Sequence, residues 1–285
     1  MYDVVIIGSG PAGLSAGINV RARNKTALII SNDPHGGHLS KAPHMENYLG
    51  MPGMTGHEMM DQFLDHARHD GVEFRFGRVI SVLPFGDTFM VSIGAEYVEA
   101  KTVVLAVGSV PPAQFEGEAQ YLGRGVSYCA TCDGMLYKGK PVIVYGDGED
   151  SVSDARFLAE LGCPVTFVSR KPVEGLPEEV TTLTARKFEV MGDGQKATGL
   201  IADGVELPAS GVFILRQAIA PSSLIQGLAT NGASIVVNRR METNIPGLYA
   251  AGDCTGAPAQ VAKAVGEGQV AGLAACARID QRERS

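Results

Sequence analysis

The sequence predicts an α/β protein of two Rossmann-like, three-layer ββα/βαβ domains, with the second domain inserted into the first. A short apolar run leads into a glycine loop at Gly8 and then into a helix-like segment, and the same order returns at Gly146. A strand and a long helix follow the second unit, and we expect them to return to the first. The 36 glycines also suit a fold with many tight turns between strands and helices.

The first unit has the order of a β-α-β motif. Residues 4–7 form an apolar run that is long enough for a buried strand and too short for a helix. A Gly-x-Gly-x-x-Gly sequence follows at residues 8–13, and a helical pattern covers residues 14–23. A second apolar run at residues 26–30 completes the motif, so we predict a nucleotide-binding unit at the start of the chain.

Each glycine of the first loop has a physical reason. Gly8 makes the tight turn, Gly10 lets a pyrophosphate approach the backbone, and Gly13 lets the helix pack closely on the strand. The helix N-terminus supplies partial positive charge for phosphate groups. The acidic residue expected for a ribose is missing at residues 30–32, and Asp33 is poorly spaced to replace it. The loop nevertheless predicts a dinucleotide site.

The remaining pattern predicts the domain boundaries. Strands are predicted at residues 72–76, 78–83, 89–93, 102–106, 141–145, 164–168 and 248–251. Helices are predicted at residues 55–69, 152–161 and 259–278. Because Pro111 and Pro112 break the chain as a linker would, we predict a first domain of residues 1–110 and 243–285. Residues 111–242 would form the inserted domain.

Charge and hydropathy exclude several classes of function. The net charge of −7 argues against binding to nucleic acid or to an anionic membrane surface. No apolar run reaches the roughly 18 residues that a membrane-spanning helix needs. The N-terminal residues also lack the pattern of a signal peptide. We therefore expect a cytoplasmic protein without nucleic-acid or membrane partners.

The cysteines predict thiol redox chemistry. Of the five, only Cys129 and Cys132 are close in sequence, and in a reducing cytosol this spacing is typical of a redox pair or half of a metal site. No second pair of ligands at zinc spacing follows, so we predict no metal site. The adjacent Asp133 could pass a proton to a thiolate released in disulfide exchange. The other cysteines are expected to be buried apolar residues, namely Cys163, Cys254 and Cys276.

The segment Cys-Ala-Thr-Cys-Asp-Gly at residues 129–134 resembles the active site of low-molecular-weight thioredoxin reductases, and the resemblance covers essentially the whole chain. The resemblance implies FAD as cofactor, with the first domain as the FAD-binding domain. Positions that match the family's FAD-binding segments are Gly8, Gly10, Pro11, Ala12, Gly13, Gly37, His38, Leu39, Asn47, Ala106, Gly108, Gly252, Asp253, Gln260 and Val261. His38 stands where the family has glutamine, and Leu49 stands where it usually has proline.

The resemblance also implies a role for each catalytic residue. Cys132 would face the flavin C4a atom, Cys129 would attack the protein substrate, and Asp133 would be the acid and base. Electrons would pass from FAD to the cysteine pair and then to thioredoxin or a similar small protein. The inserted domain would rotate to allow both steps, and the family forms homodimers.

The second nucleotide-binding unit departs from the family pattern. Asp147 and Asp150 are additional acids where a pyrophosphate would lie, and two like charges about 4 Å apart cost about 4 kcal/mol at an effective dielectric constant of about 20. The motif that binds the NADPH 2′-phosphate has lost its last arginine in residues 169–175, and the later Ile-Gly-x-x-Pro-Asn segment is altered at residues 215–221. We therefore predict that NADPH is not the physiological donor.

These departures resemble the branch of the family that does not use pyridine nucleotides and takes electrons from reduced ferredoxin. Ferredoxins are acidic, so such an enzyme is expected to offer a basic docking patch. Two small clusters of basic residues are candidates, Arg21, Arg23 and Lys25 or Arg278, Arg282 and Arg284.

Three alternatives stay open from the sequence. The first is an ordinary NADPH-dependent thioredoxin reductase. The second is a thioredoxin-reductase-like dithiol oxidase that passes electrons to oxygen, although those proteins tend to carry histidine where this chain has Asp133. The third is a flavin-binding regulatory protein with an inert disulfide, against which the Cys129, Cys132 and Asp133 combination argues.

Overall fold

The computed structural model describes most of the chain, over residues 1–32, 39–108, 115–146, 149–216 and 221–284. Within these ranges it leaves out the side chains of Lys41, Glu149, Asp150, Pro221 and Ser222. The predicted cofactor residues Gly37 and His38, the acidic residue Asp147 and the predicted linker at 109–112 lie outside the described residues.

The described residues form β-strands, α-helices and short 3-10 turns. Strands β1 to β17 are, in chain order, Tyr2–Ile7, Ala27–Ser31, Glu73–Phe76, Val79–Phe85, Thr88–Ile93, Glu96–Leu105, Val126–Ser127, Val142–Gly146, Val165–Ser169, Thr181–Thr184, Phe188–Gly192, Ala197–Ala202, Val205–Pro208, Gly211–Leu215, Thr230–Asn231, Ser234–Ile235 and Leu248–Ala250. Helices α1 to α7 are Pro11–Arg21, Gly56–His69, Glu118–Tyr121, Ala130–Asp133, Glu149–Glu160, Pro221–Leu224 and Val261–Glu283. Short 3-10 turns cover Leu39–Lys41, Gly134–Tyr137 and Asp253–Thr255.

The chain divides into two compact units, and the second is inserted into the first. The first unit consists of residues 1–112 and 218–285, and the second of residues 113–217. The sequence-based boundary at 243 therefore differs from the structure, because residues 218–242 cluster with the first unit. The physical reason is that Leu224, Leu228 and Ile235 are buried in the first unit's core. None of the described helices combines the length and apolar composition that crossing a bilayer requires.

The first unit is built on a mainly parallel sheet. Its strand order is β3-β2-β1-β6-β5-β4, and β17 pairs with β6. Strands β1, β2, β3, β6 and β17 are parallel neighbours, whereas β4, β5 and the first half of β6 form an antiparallel meander. The β-branched residues of β1 and β2 are buried on both faces of the sheet, which is typical of a parallel sheet covered by two further layers.

Different layers cover the two faces of this sheet. One face packs against α1, α2 and α7, and the other packs against the meander and the segment around α6. Helices α1 and α7 approach closely because glycine lies between them. An added Cβ at Gly268 would lie 2.1 Å from the Ala12 carbonyl oxygen, and one at Gly272 would lie 2.7 Å from that of Ala16.

The second unit repeats the Rossmann-like arrangement on a smaller scale. Its parallel sheet has the order β10-β9-β8-β14-β7, and α5 packs on it after β8. A separate antiparallel sheet of β11, β12 and β13 follows β10 in the chain. The α/β class with two Rossmann-like units, as predicted, is confirmed.

Candidate active site

Three segments predicted to bind a cofactor meet at one edge of the first unit. Gly8, Ala106 and Ala251 directly follow the neighbouring strands β1, β6 and β17. The Ala106 N–H donates to the Ile7 carbonyl oxygen at 2.8 Å, and the Ala251 N–H donates to that of Leu105 at 2.9 Å. Ligands of open parallel sheets bind at the carboxyl ends of the strands, where the strand order reverses. Between β1 and β6 this unit has such a reversal.

The glycine loop at this edge fits a dinucleotide phosphate. An added Cβ at Gly8 would lie 2.2 Å from the Ala106 carbonyl oxygen, and one at Gly13 would lie 2.0 Å from the Gly8 carbonyl oxygen. Gly8 also has a φ of +111°, which side chains rarely adopt. At Gly10, in contrast, no heavy atom of the described residues lies within 4 Å of the Cβ position. Helix α1 begins at Pro11, so an open backbone faces a helix N-terminus that has free N–H groups.

Other predicted cofactor residues lie in the same unit. The Asn47 side-chain amide donates to Gln260 Oε1 at 2.9 Å, which joins two segments that are distant in sequence. Val261 is the first residue of α7, and Leu39 is buried in the core beside α2. Gly108, just beyond β6, has a φ of +70°. Asp253 begins the 3-10 turn that follows β17.

The redox pair forms a disulfide in the second unit. The Cα atoms of Cys129 and Cys132 are 5.3 Å apart, within the usual range for a disulfide. Cys129 precedes the first residue of α4, and the Cys132 N–H donates to the Cys129 sulfur at 3.1 Å. This hydrogen bond would also stabilise a thiolate on Cys129 after reduction. Cys129 is buried, with 6% of its surface exposed, whereas Cys132 is exposed.

Ser127 connects the redox pair to Asp133. Its hydroxyl lies 2.7 Å from Asp133 Oδ2 and accepts the Cys129 N–H at 3.0 Å. A serine hydroxyl has a single hydrogen, and the carboxylate is its shortest acceptor here, because the Cys129 carbonyl oxygen lies at 3.2 Å. Burial, together with the negative charge of Asp133, raises the pKa of the nearby Tyr137. Asp133 is therefore held beside the cysteines by a residue that sequence reasoning missed.

A buried carboxylate adjoins the same segment. Glu118 is 1% exposed and accepts a two-pronged ion pair from Arg216, at 2.5 and 2.7 Å. The Tyr128 hydroxyl and the Phe115 N–H donate to the same carboxylate at 2.8 and 2.7 Å. The Arg216 guanidinium lies 4.2 Å above the Phe115 ring. Because Tyr128 directly precedes Cys129, this network holds the redox segment from its N-terminal side.

The nucleotide-type loop of the second unit has its own charges. An added Cβ at Gly146 would lie 2.2 Å from the Ser151 hydroxyl oxygen, so the last residue of β8 has no room for a side chain. Helix α5 begins at Glu149, directly after this loop. Arg216, in the altered segment after β14, is occupied by Glu118. Residues 217–220 lie outside the described residues.

Several residues of the two basic clusters already have partners. Lys25 pairs with Asp280 at 2.6 Å and with Glu283 at 3.5 Å, and Arg282 pairs with Asp87. Arg21 donates to the backbone carbonyl oxygens of Asp70 and Lys25. Three of the six basic residues therefore already have partners from other segments, and the docking patch stays a prediction. No pattern in the local sequence could have revealed these pairings.

Comparison with known proteins adds three findings. Residues 2–268 match the family model described as pyridine nucleotide-disulphide oxidoreductase. The chain is 31% identical to a thioredoxin reductase of Listeria monocytogenes, over 100% of this chain and 96% of the relative, and 35% identical to one of Aquifex aeolicus, over 89% and 85%. It is also similar to the crystal structure of a ferredoxin-flavin thioredoxin reductase from Clostridium acetobutylicum, with 37% identity, a TM-score of 0.93 and coverage of 100% and 99%.

Proposed function

The chain belongs to the pyridine nucleotide-disulphide oxidoreductase family and is an FAD-dependent disulfide oxidoreductase, and we propose that it reduces thioredoxin with electrons from ferredoxin. The observation that carries the proposal is the Cys129–Cys132 disulfide, with Asp133 held beside it by Ser127. The names of the relatives support thioredoxin as the acceptor. The name of the similar Clostridium protein supports ferredoxin as the donor.

The first unit would hold the FAD. The backbone from Gly8 to Gly13 would take the pyrophosphate, because it is open at Gly10 and leads into the N-terminus of α1. Asp253 would bind the ribityl chain, and the joined Asn47 and Gln260 side chains would lie at the flavin. When bound, FAD supplies the two electrons that open the disulfide.

The cysteine pair would then act by thiol–disulfide exchange. The Cys129 thiolate attacks one sulfur of the thioredoxin disulfide, which forms a mixed disulfide and releases the other thioredoxin sulfur as a thiolate. The Cys132 thiolate attacks the Cys129 sulfur, which re-forms the internal disulfide and releases the second thioredoxin thiolate. The cysteine pair loses two electrons and thioredoxin gains two. The two departing thiolates take up two protons, one delivered by Asp133 and one from solvent.

Two features of the second unit support a donor other than NADPH. Glu149 and Asp150 lie in the first turn of α5, where family members that use NADPH place the pyrophosphate. Arg216 is the only described cation of the altered 215–221 segment, and Glu118 engages both its terminal nitrogens. The negative charges of these acids would repel a nucleotide phosphate, and Arg216 is already paired with Glu118.

An anaerobic absorbance titration of the bound flavin tests the donor. NADPH, NADH and photochemically reduced ferredoxin are added in separate experiments, with oxidised thioredoxin present as acceptor. We expect ferredoxin to bleach the visible flavin band and to yield reduced thioredoxin, while both nucleotides leave the band unchanged. A Cys132→Ser variant serves as control, because its flavin should bleach without thioredoxin reduction. Rapid bleaching by NADPH would refute the proposed donor and leave an ordinary thioredoxin reductase.

A further inference from the structure

The turn that carries Asp253 has an unusual backbone. It follows β17 and runs from Gly252 through the 3-10 turn Asp253–Thr255 to Gly256. Gly252 has a φ of +88° and Gly256 has a φ of +111°, a region that side chains rarely adopt. Glycine is also the residue with the most freedom to leave such a conformation. A turn bounded by two such glycines therefore needs support from its surroundings to keep one shape.

Lys263 supplies part of this support from the first turn of α7. Its ammonium group donates to the Gly252 carbonyl oxygen at 2.9 Å, the Gly256 carbonyl oxygen at 2.7 Å and the Thr255 hydroxyl at 3.1 Å. An ammonium has three N–H donors, and each has an acceptor on this one turn. Only 17% of the Lys263 side chain is exposed, so water competes weakly for these bonds.

Glu267 completes the contact one helical turn later. Its Oε2 atom accepts the Gly252 N–H at 2.9 Å, lies 2.8 Å from the Thr255 hydroxyl and lies 3.2 Å from the Lys263 ammonium. The N–H and the carbonyl group of Gly252 are thus both held by side chains of α7. Because Gly252 directly precedes Asp253, these bonds fix the direction in which the chain enters that residue.

Helix α7 joins this turn to the glycine loop as well. Beyond Glu267, it packs through Gly268 against the Ala12 carbonyl oxygen, at the start of α1. An added Cβ at Gly252 would itself lie 2.9 Å from the Ala12 Cβ atom. The same helix therefore sets the positions of both segments that are proposed to hold FAD.

We infer that Lys263 and Glu267 are positioning residues for the cofactor, which hold the turn so that Asp253 meets the ribityl chain. The inference rests on the proposed FAD site. Neither residue was singled out by the sequence. A partly buried ion pair is weak evidence for stability, since apolar residues of similar size can replace such a pair without loss. The many hydrogen bonds from Lys263 and Glu267 to one turn instead indicate that the two residues fix the backbone conformation of that turn.

Three variants separate positioning from stability, namely Lys263→Met, Glu267→Leu and the double variant. Each protein is purified with FAD, and the FAD is then removed. The thermal unfolding of the apoprotein is measured, and its FAD affinity is determined by titration with FAD, followed by flavin fluorescence. Each single variant leaves an unpaired charge and should lower both the melting temperature of the apoprotein and FAD affinity. The double variant should regain the melting temperature of the wild type, yet bind FAD about tenfold more weakly, as expected for lost hydrogen bonds to charged groups.

A matched control is Lys101→Met, which breaks another ion pair of the same unit, to Asp3 and Glu283. We expect the FAD affinity of this variant to stay within about twofold of the wild type, since surface substitutions far from the FAD site usually have small effects. Wild-type FAD affinity in the double variant would overturn the inference and leave the proposed function intact. A wild-type chain that binds no FAD would overturn both.

Discussion

Single side chains around Cys129 determine what the redox pair can do. The Ser127 hydroxyl accepts the Cys129 N–H and lies 2.7 Å from Asp133 Oδ2, so one small residue orders both the cysteine backbone and the carboxylate. The Cys132 N–H donates to the Cys129 sulfur. Ser127 therefore links Asp133, the proposed acid and base, to Cys129, whose sulfur is proposed to attack thioredoxin.

Replacing Asp133 by asparagine should slow thioredoxin reduction by about 100-fold or more, since general acid catalysis contributes about that much. Ser127→Ala should have a smaller effect of about tenfold, because it removes one hydrogen bond to a charged group. Steady-state kinetics with saturating electron donor measure both. Glu179→Gln, an exposed acid in the same unit, is the control. Wild-type rates in Asp133→Asn would contradict the assignment of this carboxyl as the acid.

At the scale of elements, the join between β1 and α1 separates packing from binding. Gly13 is needed for packing, because a Cβ there would lie 2.0 Å from the Gly8 carbonyl oxygen. Gly10 is not needed for packing, because any residue can adopt its φ of −71° and no heavy atom of the described residues lies near its Cβ position. Two glycines of one motif therefore have different physical reasons.

A pair of alanine variants tests this difference. Gly13→Ala should lower the free energy of unfolding of the apoprotein by about 1–3 kcal/mol, the usual cost of overpacking. Gly10→Ala should cost less than about 1 kcal/mol, the usual scale for an N-cap change, yet weaken FAD binding by at least about tenfold, because the methyl group would meet the pyrophosphate. Denaturant unfolding and flavin fluorescence give the two quantities. If Gly10→Ala bound FAD normally, the cofactor would not lie on this loop.

For the whole molecule, the cysteines divide into two classes across the two units. Cys129 and Cys132 form the disulfide, while Cys163, Cys254 and Cys276 are buried free thiols. Burial raises the pKa of Cys254 to about 12 and that of Cys276 to about 11. A raised thiol pKa leaves almost no thiolate at neutral pH, and the thiolate is the reactive form.

Thiol counting tests this division. After reduction of the disulfide, alkylation of the folded chain at pH 8 should be fast at the exposed Cys132 and at Cys129, whose thiolate the Cys132 N–H would stabilise although Cys129 is itself buried. It should be slow at Cys163, Cys254 and Cys276. All five should react after unfolding. Mass spectrometry of tryptic peptides assigns each label, and the oxidised folded chain, in which no cysteine should react quickly, is the control. A third rapidly labelled cysteine in the folded state would contradict the burial of these thiols.

The predicted bounds of several elements agree with the structure where the local sequence pattern is clear. Residues 4–7 lie in β1, and the predicted helix at 55–69 is α2, whose Thr55 and Glu58 form a capping box. The helix predicted at 14–23 ends at Arg21, and the one predicted at 259–278 extends to Glu283. Strands β7 and β10 to β16 were not predicted. Most are short and of mixed sequence, so they carry little periodicity, but β14 at Gly211–Leu215 is a continuous apolar run that was missed.

The fold class, the glycine loop at Gly8 and the Cys129–Cys132 pair could all be predicted from the sequence, since each depends on neighbouring residues and on local backbone conformation. Three features became visible only in the folded chain: residues 218–242 join the first unit, Arg216 pairs with Glu118, and Lys25 pairs with Asp280. These partners are distant in sequence and belong to different elements. Periodicity records which face of an element is buried, but the path of the chain decides which charges meet there.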